Sequence, residues 1–332
     1  MISVFISFLL LLLFSRLPPS SASETPPSVG AALVASLPAF PAVSVVDSPP
    51  RVLLGDPPST PPGLSVGCNG GSPYTQAEVR MLYSRFSLDL SRTREQAERF
   101  CAVPKPAGWE HFHRCQYAVV EMELLYLYIR AERPRHVLEL CSAVGYTTMW
   151  VLAALGDNGF GELWSFDAMD TRLAIAMTDL PETLLQRWHF SRGHVDDKVI
   201  IPLLEQHTFD RIVMDADHRT EFARWYTTSI LSRHISQLAQ RRRGSSLSIS
   251  VHDVFDTDMP LHPLSGEGKT VLEWLSKDVS VASKTCMLLS EVHNEALHRA
   301  VAEVRRDALG EEGAARTWGR VPECSLFLNI VP

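Results

Sequence analysis

The chain has 332 residues, 45% of them hydrophobic and 21% charged, with a formal net charge of -7. That is enough apolar material for one sizeable α/β core plus extra elements. The acidic balance argues against a nucleic-acid partner, because holding phosphates calls for a basic face.

Residues Ile2 to Phe14 form an apolar run, followed by Ser15, Arg16, Pro18 and the small residues Ser20 to Ser23. The run is short for a membrane span. The pattern predicts a signal peptide over residues 1–22 and delivery to the secretory pathway or outside the cell, with an uncleaved membrane anchor as the alternative. Residues 23–72 are rich in Pro, Ser, Gly and Ala and cannot bury enough apolar surface to offset ordering, so they read as a flexible linker. Of the six cysteines, Cys68, Cys101 and Cys115 are close enough in sequence to supply one disulfide, with the partners left open. Cys141, Cys286 and Cys324 fall in predicted strands and read as buried, inert thiols.

Folded structure is expected over residues 73–332, as a helical cap (73–131) and a core (132–332). Thr75 is placed to cap a helix carrying Val79, Leu82, Phe86 and Leu90, and a strongly apolar helix follows from about Arg114 to Ala131. The stretch RHVLELCSAVGYTTMWV (Arg135 to Val151) then reads as strand, tight turn and helix: a β-type run stops at Cys141, Ser142 and Ala143, passes Gly145, and restarts with helical spacing. Small residues at such a turn let backbone N–H groups and a helix N-terminus approach a ligand. Glu139 lies inside the strand, and Asp167 ends the next apolar run at the distance suited to a ribose diol, roughly twenty residues on. The turn carries only one glycine of the G-x-G-x-x-G dinucleotide fingerprint.

Strands and helices alternate from there, predicting a parallel, doubly wound sheet. Strands are expected at Trp188 to Ser191, at FDRIVMD ending in Asp215, and at Leu247 to Val251, with a long helix from Glu221 to about Arg241. A helix near Thr270, a strand at Val279 to Leu289, a helix at Asn294 to Ala308 and a last strand at Ser325 to Val331 would supply an antiparallel closing pair. Ionisable groups gather at two strand ends: Asp215, Asp217 and His218, then His252, Asp253 and Asp256. Carboxyl ends of neighbouring parallel strands meet at one edge, so these groups should meet beside the ligand turn. Two carboxylates and an imidazole can hold a divalent cation; Asp217 could equally cap the helix after it.

LELCSAVGYTT followed by SFDAMD resembles the first two motifs of class I S-adenosylmethionine-dependent methyltransferases, with Cys141 and Ala143 standing where that family often has glycine. FDRIVMDADH resembles a segment of the metal-dependent catechol-type O-methyltransferases, and SISVHDVF resembles the His-Asp pair of a broad methyltransferase family. The resemblance implies a Rossmann-like fold and S-adenosyl-L-methionine held by Glu139, Cys141, Ser142, Ala143, Gly145, Asp167, Val195 and Asp215, with Val195 in a turn near the adenine. It implies Asp215, His252 and Asp253 as ligands of Mg²⁺ or another divalent cation. It also places His218 or His252 as the base that takes a hydroxyl proton, a role the near-neutral pKa of histidine suits. The expected activity is methyl transfer to a hydroxyl of a small molecule. The alternatives are a methyltransferase-like binding domain without turnover and an NAD-dependent oxidoreductase, which should show a fuller glycine fingerprint.

Overall fold

The computed structural model describes residues 76–109, 115, 118–241, 246–254, 266–277, 283–290, 295–315 and 324–331. The expected signal peptide, linker and Thr75 cap lie outside these residues, as does Asp256.

Two helices lead the described chain, α1 (Gln76–Ala102) and α2 (Val119–Glu132). Next come β1 (His136–Leu140), α3 (Tyr146–Asn158), β2 (Glu162–Asp167), the short α4 (Thr171–Ile175) and α5 (Glu182–Leu185), and β3 (Trp188–Arg192). Then follow α6 (Asp197–Gln206), β4 (Arg211–Met214), and one long helical rod made of α7 (Thr220–Trp225), a π-helical segment (Tyr226–Ser232) and α8 (Arg233–Arg241). The chain continues as β5 (Leu247–Val251), α9 (Glu267–Lys277), β6 (Ser283–Ser290), α10 (Glu295–Ala315) and β7 (Cys324–Val331).

The seven strands make one sheet in the order β3-β2-β1-β4-β5-β7-β6. The first five run parallel, and β7 is antiparallel to both β5 and β6. The expected doubly wound sheet with an antiparallel closing pair is what forms. Because side chains alternate along a strand, Val137 and Val213 face one apolar layer with α1, α2 and α3, while Leu138, Leu140, Ile212 and Met214 face the other with α6, the π segment and α8.

Within the helical stretch expected over 73–131, α2 packs closely against the sheet. Every residue of α2 from Val119 to Ile129 is buried, and this helix shares one core with the sheet. A helix that is apolar all round has to be covered on all sides. Its two internal carboxylates are covered too, and each has partners. Glu123 accepts hydrogen bonds from Tyr83 (2.7 Å), Arg94 (2.7 Å) and Arg305 (2.7 Å), tying α1, α2 and α10 together. Losing one partner of such a buried ionic cluster leaves an uncompensated charge, which costs about 3–5 kcal/mol. A disulfide joins Cys101 at the end of α1 to Cys115, with Cα atoms 5.7 Å apart, which resolves the pairing left open above.

Candidate active site

The parallel strands deliver the expected residues to one edge. Strand pairing runs one residue past each strand end: Cys141 N–H donates to Phe166 O, Asp215 N–H to Leu140 O and His252 N–H to Met214 O. Cys141, Asp215 and His252 are thereby held side by side at the carboxyl ends of β1, β4 and β5.

The turn after β1 takes an alternating backbone. Cys141 (φ 66), Ala143 (φ 44) and Gly145 (φ 86) are all left-handed. The N–H groups of these three residues are bonded within the protein, Cys141 to Phe166 O, Ala143 to Asp167 Oδ2 and Gly145 to Ser142 O. Cys141 does not belong to β1 as expected; it opens the turn, half-buried, and burial together with the Asp167 and Asp215 carboxylates pushes its thiol pKa well up. Left-handed backbone costs a residue with a Cβ about 1–2 kcal/mol. The packing of β1 and α3 imposes it here all the same. Glycine is required at 145, where an added Cβ would lie 2.5 Å from Ile175 Cδ1.

Asp167 closes this turn. Its Oδ2 accepts from Ala143 N (2.6 Å) and its Oδ1 from Met169 N (2.7 Å), so the carboxylate is fixed against the turn with a lone pair to spare on each oxygen. Burial pushes its pKa up. Ser142 brings only its backbone, since its hydroxyl is 2.8 Å from Thr171 Oγ1. Glu139 lies beneath, buried; its Oε2 accepts from Thr148 Oγ1 (2.8 Å) and from Ser165 Oγ. Burial pushes its pKa up to about 7. Its Oε1 is buried without a hydrogen-bond partner among the described residues. An orphaned carboxylate oxygen beneath the turn fits a ligand carrying an ammonium group, as an amino-acid cofactor does. Val195 stands half-buried against the second core layer, one residue before Asp196, which caps α6.

The second group is an ionic cluster. One ligand atom each from Asp215, His252 and Asp253 lie within 4.8 Å of one another, so the expected trio comes together. His252 is buried, with Nδ1 3.2 Å from Asp215 Oδ1, and Nε2 3.3 Å from Glu121 Oε2 and 3.4 Å from Asp253 Oδ1. Burial alone would lower the pKa of this ring, but Glu121 and Asp215 outweigh it and push it well above the ordinary value. The ring thus faces carboxylates on both sides, which favours its charged form. Asp253 has left-handed backbone (φ 48) and a carboxyl pushed up to about 6 by burial, partly offset by His252.

His218 follows β4. Its Nδ1 donates to Glu267 Oε2 at 2.7 Å, and its Nε2 is 3.8 Å from Asp215 Oδ1. Burial opposes the charged ring, yet the hydrogen bond and charge of Glu267 win, and the pKa is pushed up to about 9. The expected near-neutral value is therefore corrected upward. Asp217 is outside this constellation. It accepts from Arg219 N (3.1 Å) and pairs with the Arg219 side chain, but it does not cap the following helix: the N-cap of α7 is Arg219, with no side-chain cap hydrogen bond.

Glu121 and Glu267 were not singled out in the sequence. Glu121 had a signal, since a carboxylate inside the apolar run AVVEMELLYLY must find partners when the run is buried. It accepts from Ser325 Oγ (2.6 Å) and Ala118 N (3.2 Å) besides facing His252. Glu267 had none, because it begins an ordinary amphipathic helix far along the chain.

Residues 138–237 match a family described as a methyltransferase domain. No curated protein matches the chain. Solved structures similar to it include an O-methyltransferase from Bacillus cereus in complex with SAH (16% identity, TM-score 0.42, covering 73% of this chain and 91% of that one). Another is an O-methyltransferase from Streptomyces achromogenes involved in tomaymycin synthesis, in complex with SAM (16%, TM-score 0.39, 73% and 89%). A third is a cyclopropane-fatty-acyl-phospholipid synthase-like protein from Lactobacillus casei ATCC 334 (13%, TM-score 0.39, 73% and 99%). At these scores no argument rests on them. Residues 138–237, the part that matches the methyltransferase-domain family, contain the turn after β1, Asp167 and Asp215 at the carboxyl edge of the sheet.

Proposed function

We propose that the chain transfers a methyl group from S-adenosylmethionine to a hydroxyl oxygen of a small molecule. The observation that carries this is the placement of an imidazole, His218, beside the strand ends that hold the turn, with Nε2 turned toward Asp215. The bound cofactor would supply a methyl group already activated on a sulfonium sulfur. The turn at 141–145, Asp167 and the unpaired oxygen of Glu139 would hold and orient it. His218 is placed to accept the hydroxyl proton through Nε2. Alignment supplies much of the rate, because a held hydroxyl in line with the methyl converts a two-body encounter into a one-body step. Calorimetry of the full chain with S-adenosylmethionine, S-adenosylhomocysteine and NAD tests it. Binding of NAD in preference to the first two rejects the proposal.

A divalent cation is a second reading, favoured by the convergence of Asp215, His252 and Asp253. The two carboxylates suit a hard cation. His252 fits only if it releases a proton from one of its flanked nitrogens. Chelation should abolish turnover and added Mg²⁺ restore it on this reading; full turnover in excess chelator leaves proton acceptance to His218 alone. The Cys101–Cys115 disulfide supports the secretory proposal. N-terminal sequencing of the protein from its native cells tests that, an intact Met1 counting against it.

A further inference from the structure

The α9 helix does more at this edge than cover the sheet. Glu267, its first residue, is 2% exposed. One carboxylate oxygen takes the Nδ1 proton of His218 at 2.7 Å, and the other takes the hydroxyl proton of Tyr226 at 2.8 Å. The Glu267 backbone N–H also donates to His218 O at 3.1 Å, so helix and loop are joined by main chain as well as side chain. Gly266 permits this approach: it has φ 93, and a Cβ there would lie 2.9 Å from His218 O. Tyr226 opens the π-helical segment, a local widening of the helix that is frequent where a side chain is redirected into a functional site.

We infer that Glu267 is the positioning residue for His218, fixing the imidazole with its proton on Nδ1 and its Nε2 toward Asp215 at the strand ends. This rests on the reading of His218 as the proton acceptor in methyl transfer. The reasoning is stereochemical. A neutral imidazole carries one proton, and the nitrogen that keeps it is decided by what the ring faces. A carboxylate can only accept, so the proton stays on Nδ1 and the Nε2 lone pair is free for a hydroxyl proton. Tyr226 donates to the other oxygen of Glu267 and stops the carboxylate from rotating away. The group thus acts on the reaction through the ring it holds and need not touch the substrate.

The decisive substitution is Glu267→Gln, which preserves size. The Gln amide oxygen would take the Tyr226 hydroxyl proton, leaving its NH₂ against Nδ1. Nδ1 would then have to accept, and the ring proton would move to Nε2, where it blocks proton acceptance. The first readout is nuclear magnetic resonance of the full chain labelled with ¹⁵N-histidine, with the His218 signals assigned from their loss in His218→Asn. The expected result is a protected Nδ1–H signal in the unaltered chain, replaced by an Nε2–H signal in Glu267→Gln at a pH where the ring is neutral. The second readout is methylation of catechol with S-adenosylmethionine. Glu267→Gln should lower kcat by about 10²–10³-fold with the cofactor KM unchanged, and Glu267→Asp, which keeps the charge, should recover much of it. Tyr226→Phe should keep the Nδ1–H signal.

An unchanged His218 signal in Glu267→Gln overturns the inference, as does a lower melting temperature with kcat intact. If Glu267→Gln does not fold, Glu267→Asp against Glu267→Asn carries the same charge comparison, equal signals in the two overturning the inference. Absence of catechol methylation by the unaltered chain counts against the functional reading, and the resonance comparison then decides the positioning role by itself.

Discussion

The two halves of the candidate site are built in opposite ways. The turn after β1 is local: Glu139 to Gly145 are consecutive, and their partners Ser165, Asp167 and Thr171 lie on or just after the adjacent strand β2. The ionic cluster is assembled from α2, the ends of β4 and β5, and α9, with Glu121, Asp215, His252 and Glu267 spread over much of the chain. A local turn can be specified by backbone conformation, so its cost appears as left-handed residues at Cys141 and Ala143. A dispersed cluster is specified by charge pairing in a buried setting. Its cost appears as displaced pKa values at His218, His252 and Asp253.

The largest expected effect breaks the cluster without touching the turn. His218→Asn should lower methyl transfer to catechol by about 10²–10⁴-fold, equivalent to about 3–5 kcal/mol, while calorimetry shows S-adenosylmethionine binding intact. Because a base acts only when deprotonated, and the His218 pKa is pushed up to about 9, kcat/KM should rise with pH until about 9. A pH-rate profile of the unaltered chain that is flat from neutral upward contradicts that role.

The converse change breaks the turn and spares the cluster. Asp167→Ala removes the acceptor of two backbone N–H groups as well as the expected ribose contact. Each charge-assisted hydrogen bond is worth about 1.5–3 kcal/mol, so the cofactor Kd should rise by at least tenfold, read by titration calorimetry. An unaltered Kd removes Asp167 from the binding site.

Glu139 sharpens the comparison, since it carries a displaced titration in the turn half. Its carboxyl is raised from 4.5 to about 7, so the folded chain holds a proton that the unfolded chain has released between those values. This contribution to stability is therefore lost as pH rises from about 4.5 to about 7, on the order of 3 kcal/mol in all. Glu139→Gln should remove that part of the slope, measured as urea midpoints at pH 5 and pH 7.5; an unchanged slope refutes the displaced titration. The smallest effect concerns backbone alone. Cys141→Gly and Ala143→Gly should each relieve left-handed strain and raise stability by up to about 1 kcal/mol in urea unfolding, with lowered midpoints indicating that the Cβ atoms pack usefully.

The sequence by itself determined the alternation of strands and helices, the strand-turn-helix at 135–151, and the two acidic positions Glu139 and Asp167. These depend on periodicity and on residues near one another in the chain, which local sterics read directly. It also placed Asp215, His252 and Asp253 together, because the carboxyl ends of parallel strands share an edge whatever surrounds them. It did not determine what covers α2, since an apolar helix looks the same whether its outer face meets a substrate or α1 and α10. Nor did it determine the charge states. Whether His218 titrates near neutrality or near 9 depends on Glu267, 49 residues away, arriving at 2.7 Å. Only tertiary packing fixes that distance, and electrostatic energy in a buried site depends on distance and burial together, neither of which a linear spacing contains.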